Sequence, residues 1–269
     1  MQFSKISVCV AMLTLAWCLP TGALAKVDLL IAAATEAELA PVRAKMRDVK
    51  ETTLTSWTFW SGTLSGESVV LARTEGDPLN AVAAVTLAIR KFDPALVLSY
   101  GIARPHDVTL KAGDVVVSEK FVAFDGFISG HRGLGEGVKL GDWKKLPHAP
   151  ISSGEVETYT ESFPASEGAK TAALSLKLGE GSGGKVKAGV LGSAHQINRE
   201  ADRVAWLREK WGTSCEDFES AHVAVCAKLF GVPAAGIRVI VPVTSGETEV
   251  AAAQAQAAEL VLTWVEVLK

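Results

Sequence analysis

Asp217-Phe218-Glu219-Ser220-Ala221-His222 leads into Cys226-Ala227-Lys228-Leu229-Phe230-Gly231-Val232-Pro233 and then Gly236-Ile237-Arg238-Val239-Ile240. Ser220 to Phe230 is mostly apolar and reads as a helix. Gly231 closes it and Pro233 lies just beyond, the order in which helices stop. Ala234 to Val243 follows as a buried strand. Two of the charged residues stand out in this largely apolar setting. Glu219 sits where the chain enters the helix, and Arg238 sits in mid-strand. An arginine there is costly to bury unless paired, so it marks either a site or a buried structural ion pair. A carboxylate at a helix N-terminus also has a purely structural reading, because it favours the helix dipole.

Outward from this stretch, strand-like and helix-like segments alternate. Val27 to Ile31 is a short buried strand, and Thr35-Glu36-Ala37-Glu38 is a capping-box pattern opening a helix through Leu39, Val42 and Met46. Pro41 must delay or bend that helix, since it removes a hydrogen bond beyond the first turn. Ser68 to Arg73 is a strand, and Leu79 to Phe92 a helix burying Val82, Val85, Leu87 and Ile89. Ala95 to Gly101 is a third buried strand ending in a tight loop, and Asp114 to Glu119 is another strand. Phe121 to Ser166 is rich in Gly, Pro, His and charge and predicts long loops with short strands. A flexible turn at Gly181 to Gly184 precedes the strand Val186 to Leu191. Asn198 to Trp211 predicts a charged amphipathic helix, and Ala251 to Leu268 a final one. No repeat or linker divides the chain. The pattern predicts one α/β domain, a three-layer αβα sandwich with a central mixed sheet.

The first residues carry a different signal. Lys5 precedes an uncharged run from Ile6 to Leu19, then the breakers Pro20, Thr21 and Gly22, then Ala23-Leu24-Ala25. That order predicts a signal peptide over 1–25, a mature start at Lys26, and a periplasmic or secreted location. The apolar run is too short to span a bilayer, so no stable membrane anchor is expected. Cys18 as a lipidated residue is the alternative, disfavoured because the bulky Trp17 precedes it. The 269 residues less these 25 leave 244, enough for one large domain, and 48% hydrophobic residues supply its core.

The formal net charge of −3 becomes −4 without Lys5, and no basic cluster exists, which argues against nucleic acid as a partner. Of the cysteines beyond the leader, Cys215 and Cys226 could pair in an oxidising compartment, but Cys226 lies in an apolar helical pattern and reads as a buried thiol. The five histidines, His106, His131, His148, His195 and His222, show no i,i+4 pairing, and no CxxC is present, so no metal site is expected. The glycines of Gly133-Leu134-Gly135-Glu136-Gly137 follow no convincing strand and open no helix, so they make no dinucleotide loop.

Several of these motifs, in this order, resemble the methylthioadenosine/S-adenosylhomocysteine nucleosidases of the type I nucleoside phosphorylase superfamily. The resemblance extends over Asp217 to Ile240 and over Pro94 to Val117, with Gly101 and Lys111-Ala112-Gly113-Asp114-Val115-Val116-Val117. Leu30 to Leu39 also fits, and Ala34 to Pro41 is similar to the futalosine hydrolase variant. The resemblance implies a nucleoside phosphorylase type I-like fold, a nucleoside ligand, no cofactor and a homodimer. It places Glu219 on the ribose hydroxyls, Phe218 against the sugar or base, and Gly101, Ile102 and Ala103 in the central substrate loop. Glu38 is then the base that activates water, with Glu36 a lesser candidate, and Arg238 lies near the nucleophile.

Departures accompany these matches. The family carries an aspartate four residues after the arginine, where it helps protonate a purine; here that residue is Pro242. The usual glycine–serine–alanine–glycine–glycine loop reads Gly101-Ile102-Ala103-Arg104-Pro105, and a further aspartate and a stacking aromatic are replaced by Ala194 and Gln196. Ribose recognition is therefore expected to be retained and purine activation weakened. The expectation divides between an exported nucleosidase acting on a nucleoside, a purine nucleoside by the resemblance, and an impaired nucleoside-binding protein. Phosphorolysis is the weaker option, because Ala32-Ala33-Ala34-Thr35 stands where phosphorylases carry a glycine–aspartate–proline loop.

Overall fold

The computed structural model describes residues 26–147, 160–179 and 184–268. The expected signal peptide and most of the glycine turn at 181–184 lie outside the described residues. In chain order the strands are β1 (Val27–Ala33), β2 (Arg47–Leu54), β3 (Trp57–Leu64), β4 (Glu67–Arg73), β5 (Pro94–Pro105), β6 (Val115–Ala123), β7 (Phe127–Ile128), β8 (Lys144–Lys145), β9 (Phe163–Pro164), β10 (Val186–Ser193), β11 (Cys215–Asp217) and β12 (Ala234–Ile240). The helices are α1 (Glu36–Arg43), α2 (Pro78–Phe92), α3 (Glu167–Leu174), α4 (Ala201–Trp211), α5 (Ser220–Leu229) and α6 (Glu247–Val267).

The main sheet is mixed and runs β11-β10-β6-β12-β5-β1-β4-β3-β2. Its middle is parallel: β1 pairs with β4 and β5, and β12 pairs with β5. The sheet then curls until β11, parallel to β10, also pairs antiparallel with the end of β5, Cys215 opposite Pro105 and Glu216 opposite Arg104. Two apolar layers cover it. Side chains of α2 and α5 pack on one face, among them Val85, Phe92 and Ala224, while α1, α3 and α6 pack on the other through Leu39, Ala173 and Val261. Helix α4 adds a third cluster through Trp206, Leu207 and Trp211. This is the expected three-layer α/β arrangement, and no described helix is long and apolar enough to cross a membrane.

Several boundaries depart from expectation. The first helix ends at Arg43, soon after Pro41, and Met46 is buried from the following turn. The proline leaves the Ala37 carbonyl without its helical donor, which weakens the continuation. The buried stripe of α2 runs through Ala81, Ala84, Val85, Ala88, Ile89 and Phe92, while Val82 is exposed. Alanine lets the helix lie close to the sheet, so the small residues mark the contact face. The strand starting at Pro94 does not end at Gly101 but continues to Pro105, held by β11. Strands β2 and β3 and helix α3 had no counterpart in the sequence reading. Cys215 and Cys226 are free and buried.

Candidate active site

The carboxyl ends of parallel strands are where α/β sheets place ligands, because the chain turns away there and leaves a crevice. Here the ends of β1, β5, β11 and β12 and the turn after β4 surround a cavity of about 340 Å³. Glu38, Gly101, Ile102, Ala103, Phe218, Glu219 and Arg238 all line it. The seven residues singled out from the sequence, drawn from four separated segments, are thus brought to one place. Glu36 is not: it is half-exposed and pairs with Arg43 at 2.5 Å.

Glu38 is held by the helix it caps. Its Oε2 accepts from the Thr35 amide and hydroxyl, each at 2.9 Å, while the Tyr100 hydroxyl donates to its carbonyl at 2.7 Å. The capping box and the site position are therefore compatible, since Oε1 turns toward Gly101. A Cβ at Gly101 would stand 3.0 Å from that oxygen, and Gly101 adopts φ +155°. Burial raises the Glu38 carboxyl above its ordinary range, against the hydrogen bonds from Thr35 and the charge of Arg238.

Arg238 is buried, and each guanidinium nitrogen has a partner. Nε lies 2.7 Å from Asp217 Oδ2, Nη1 donates to the Ile237 carbonyl at 2.9 Å, and Nη2 donates to Ser99 Oγ at 2.8 Å. The sequence reading gave Asp217 no role. Its Oδ1 accepts from the amides of Glu219 and Ser220, both at 2.8 Å, and from the Ser193 hydroxyl at 2.5 Å. Burial alone would raise the Asp217 carboxyl, but the Arg238 charge and the bonds from Ser193 and Ser220 outweigh it and hold the group below its usual range. Asp217 thus fixes both the arginine and the backbone of Glu219. Two intervening features hid it: an acidic residue two positions before another suggests only a turn, and its partner is 21 residues away.

The Glu219 carboxylate accepts from Thr74 Oγ1. That hydroxyl also lies 3.1 Å from the Ala33 carbonyl, yet it has one proton to give. When the proton goes to Ala33, the contact with Glu219 needs a proton on the carboxyl. Burial pushes Glu219 up to about 7, with Arg238 and Thr74 opposing the rise and Asp217 and Glu38 adding to it. Near neutral pH the group is therefore poised between acceptor and donor.

The remaining wall is mostly uncharged. Pro242, Val241, Ile197, Gln196 and Ser245 line it, so the position of the family aspartate belongs to the cavity but carries no acid. Glu247 and Glu249 are exposed on the first turn of α6, where Glu249 Oε2 accepts from the Gly246 amide, and neither lines the cavity. Among the described residues His222 Nδ1 has no hydrogen-bond partner, and its Nε2 lies 3.8 Å from Asp125. Among the described residues no group of acidic, histidine or cysteine side chains could hold a metal.

A sequence profile of the Phosphorylase superfamily matches residues 28–266. The chain belongs to that superfamily. Within it, the 5'-methylthioadenosine/S-adenosylhomocysteine nucleosidase of Marinomonas sp. is 28% identical over 80% of this chain and 85% of its own length. The nucleosidase of the same name from Geobacillus kaustophilus is 27% identical over 89% and 97%. Among solved structures, the nucleosidase from Colwellia psychrerythraea in complex with adenine superposes with a TM-score of 0.73 at 22% identity, covering 91% of this chain and 96% of that one. A futalosine hydrolase mutant of Helicobacter pylori gives 0.69 at 20% identity, over 89% and 99%. These structures share the fold.

Proposed function

We propose that this protein hydrolyses the N-glycosidic bond of a nucleoside. Glu219 accepts hydrogen bonds from the vicinal ribose hydroxyls, and Phe218 packs against the sugar or base. Water attacks C1′ while Glu38 takes its proton, and the electron pair of the C1′–N bond leaves with the base. A buried carboxyl with a raised pKa suits that proton transfer near neutral pH. The transition state resembles an oxocarbenium ion, which anionic side chains on the sugar stabilise.

The observation that carries this reading is the meeting of Glu38 and Glu219, two buried carboxyls from opposite ends of the chain, in one cavity. The relatives from Marinomonas sp. and Geobacillus kaustophilus, both called nucleosidases, support the same class of reaction. The Asp217–Arg238 pair favours hydrolysis over phosphorolysis, because the arginine charge is already neutralised and offers little to a phosphate. Pro242 in the wall favours the second reading, a nucleoside-binding protein without turnover.

Paired variants separate the two. Glu38→Gln is expected to bind nucleoside, seen as a thermal shift, but to release no base; Glu219→Ala is expected to lose both. Normal turnover in Glu219→Ala would refute the assignment. We also propose export, on the signal-like sequence of residues 1–25, and a homodimer, on the family resemblance. Fractionation of expressing cells and sedimentation of the purified protein test these.

A further inference from the structure

Resting on the ribose placement just proposed, the geometry points to Arg104 as the group that stabilises the departing base, and hence to a base bearing an exocyclic oxygen rather than an adenine. Strands β5 and β12 run parallel, with Arg238 opposite Gly101 and Ile240 opposite Ala103, and the Val241 amide donates to the Ala103 carbonyl at 2.9 Å. Arg104 is therefore carried next to Val241 and Pro242. Its Nη1 lies 3.4 Å from the Val243 carbonyl, and Arg104 lines the same cavity as Pro242 and Ser245.

The cavity wall holds two arginines, of which Arg238 is neutralised by Asp217. Arg104 has no carboxylate within 4 Å among the described residues. Glu216, its neighbour across the β11–β5 pair, is engaged elsewhere: its carboxylate lies 3.0 Å from His106 Nε2 and accepts from the Asn198 amide and side chain. With the sugar held by Glu219 and the attacking water at Glu38, the base reaches the apolar wall of Ile197, Val241 and Pro242, with the guanidinium at its edge.

A guanidinium stays protonated and cannot serve as an acid for the leaving group. It can receive negative charge. As the C1′–N bond breaks, its electron pair moves onto the base and, where the ring carries a carbonyl, onto that oxygen. The Arg104 N–H groups meet the charge; water adds to C1′ with its proton passing to Glu38, and the base leaves as an anion that later takes a proton from solvent. An amino group at the same ring position would oppose a donor with another donor, so adenine is disfavoured.

Inosine and adenosine, compared in the purified protein and in Arg104→Ala, test this. The inosine-to-adenosine ratio of kcat/KM is expected to exceed 1 and to fall about 100-fold in the variant, the size of effect seen when one charge-stabilising donor is removed. Cleavage of both nucleosides with a ratio that the variant leaves unmoved overturns the inference but not hydrolysis. Calorimetry with hypoxanthine and adenine decides the case in which neither nucleoside is cleaved. Tighter hypoxanthine binding that Arg104→Ala abolishes would keep Arg104 as the group that selects the base but reject its role in bond cleavage together with hydrolysis, whereas equal binding would reject both roles. Arg104-dependent binding of adenosine 5′-monophosphate in preference to inosine would place the cation on the 5′ side and refute the role at the base.

Discussion

Arg238 and Asp217 form a buried ion pair, Nε 2.7 Å from Oδ2, that joins the strand bearing one site residue to the turn bearing Glu219. Removing one member of such a pair leaves a buried charge without compensation, which typically costs 3–5 kcal/mol. Asp217→Ala is expected to lose roughly that much in urea unfolding. Because Asp217 also raises the Glu219 carboxyl, Asp217→Asn should move the pH dependence of nucleoside binding downward. An unchanged unfolding midpoint in Asp217→Ala would show that the pair contributes nothing to stability.

Glu219 makes the empty protein's stability depend on pH. Its carboxyl lies at about 7 in the folded protein against an ordinary 4.5, so between those values the folded state binds more protons than the unfolded one. Stability from this group is full below pH 4.5, declines as pH rises through the interval, and is lost above about 7. Glu219→Gln should flatten that decline. Nucleoside affinity should change oppositely, strengthening as pH rises through about 7, because the ribose hydroxyls need the ionised acceptor. Thermal melts and titrations across pH 5 to 8 check both signs.

Thr74 donates to Glu219 and so pulls its pKa down. Thr74→Val keeps the shape and removes the donor. The affinity profile is expected to shift to higher pH, with weaker binding at pH 7. A profile that stayed in place would mean that the hydroxyl proton rests on the Ala33 carbonyl throughout.

Gly101→Ala meets two obstacles, a φ of +155° and a Cβ 3.0 Å from Glu38 Oε1. Thr35 pins the other oxygen of Glu38, so the carboxyl has little room to retreat. The backbone strain should cost about 1–3 kcal/mol. Base release should fall further than the stability loss explains, which comparison of turnover well below the melting temperature would reveal.

Much of this was legible in the sequence where local chemistry dictates local structure. Gly231 and Pro233 stop α5, Thr35 and Glu38 cap α1, and the continuous apolar runs become the central strands. The hairpin of β2 and β3 was not, because Arg47-Asp-Val-Lys-Glu-Thr-Thr-Leu54 lies at the sheet edge, mostly exposed, and carries no alternation to detect. The extension of β5 past Gly101 depends on β11, over a hundred residues away, and no local pattern encodes it. Site residues followed the same division. Glu38, Glu219 and Arg238 were found through motif resemblance, whereas the role of Asp217 required its partner in space.

The most direct test of the account is release of free base from a panel of purine and pyrimidine nucleosides by the purified protein, followed by chromatography with and without phosphate. The account predicts release at the same rate in both conditions, abolished in Glu38→Gln. Release that requires phosphate, or a thermal shift on nucleoside with no base released, would contradict it.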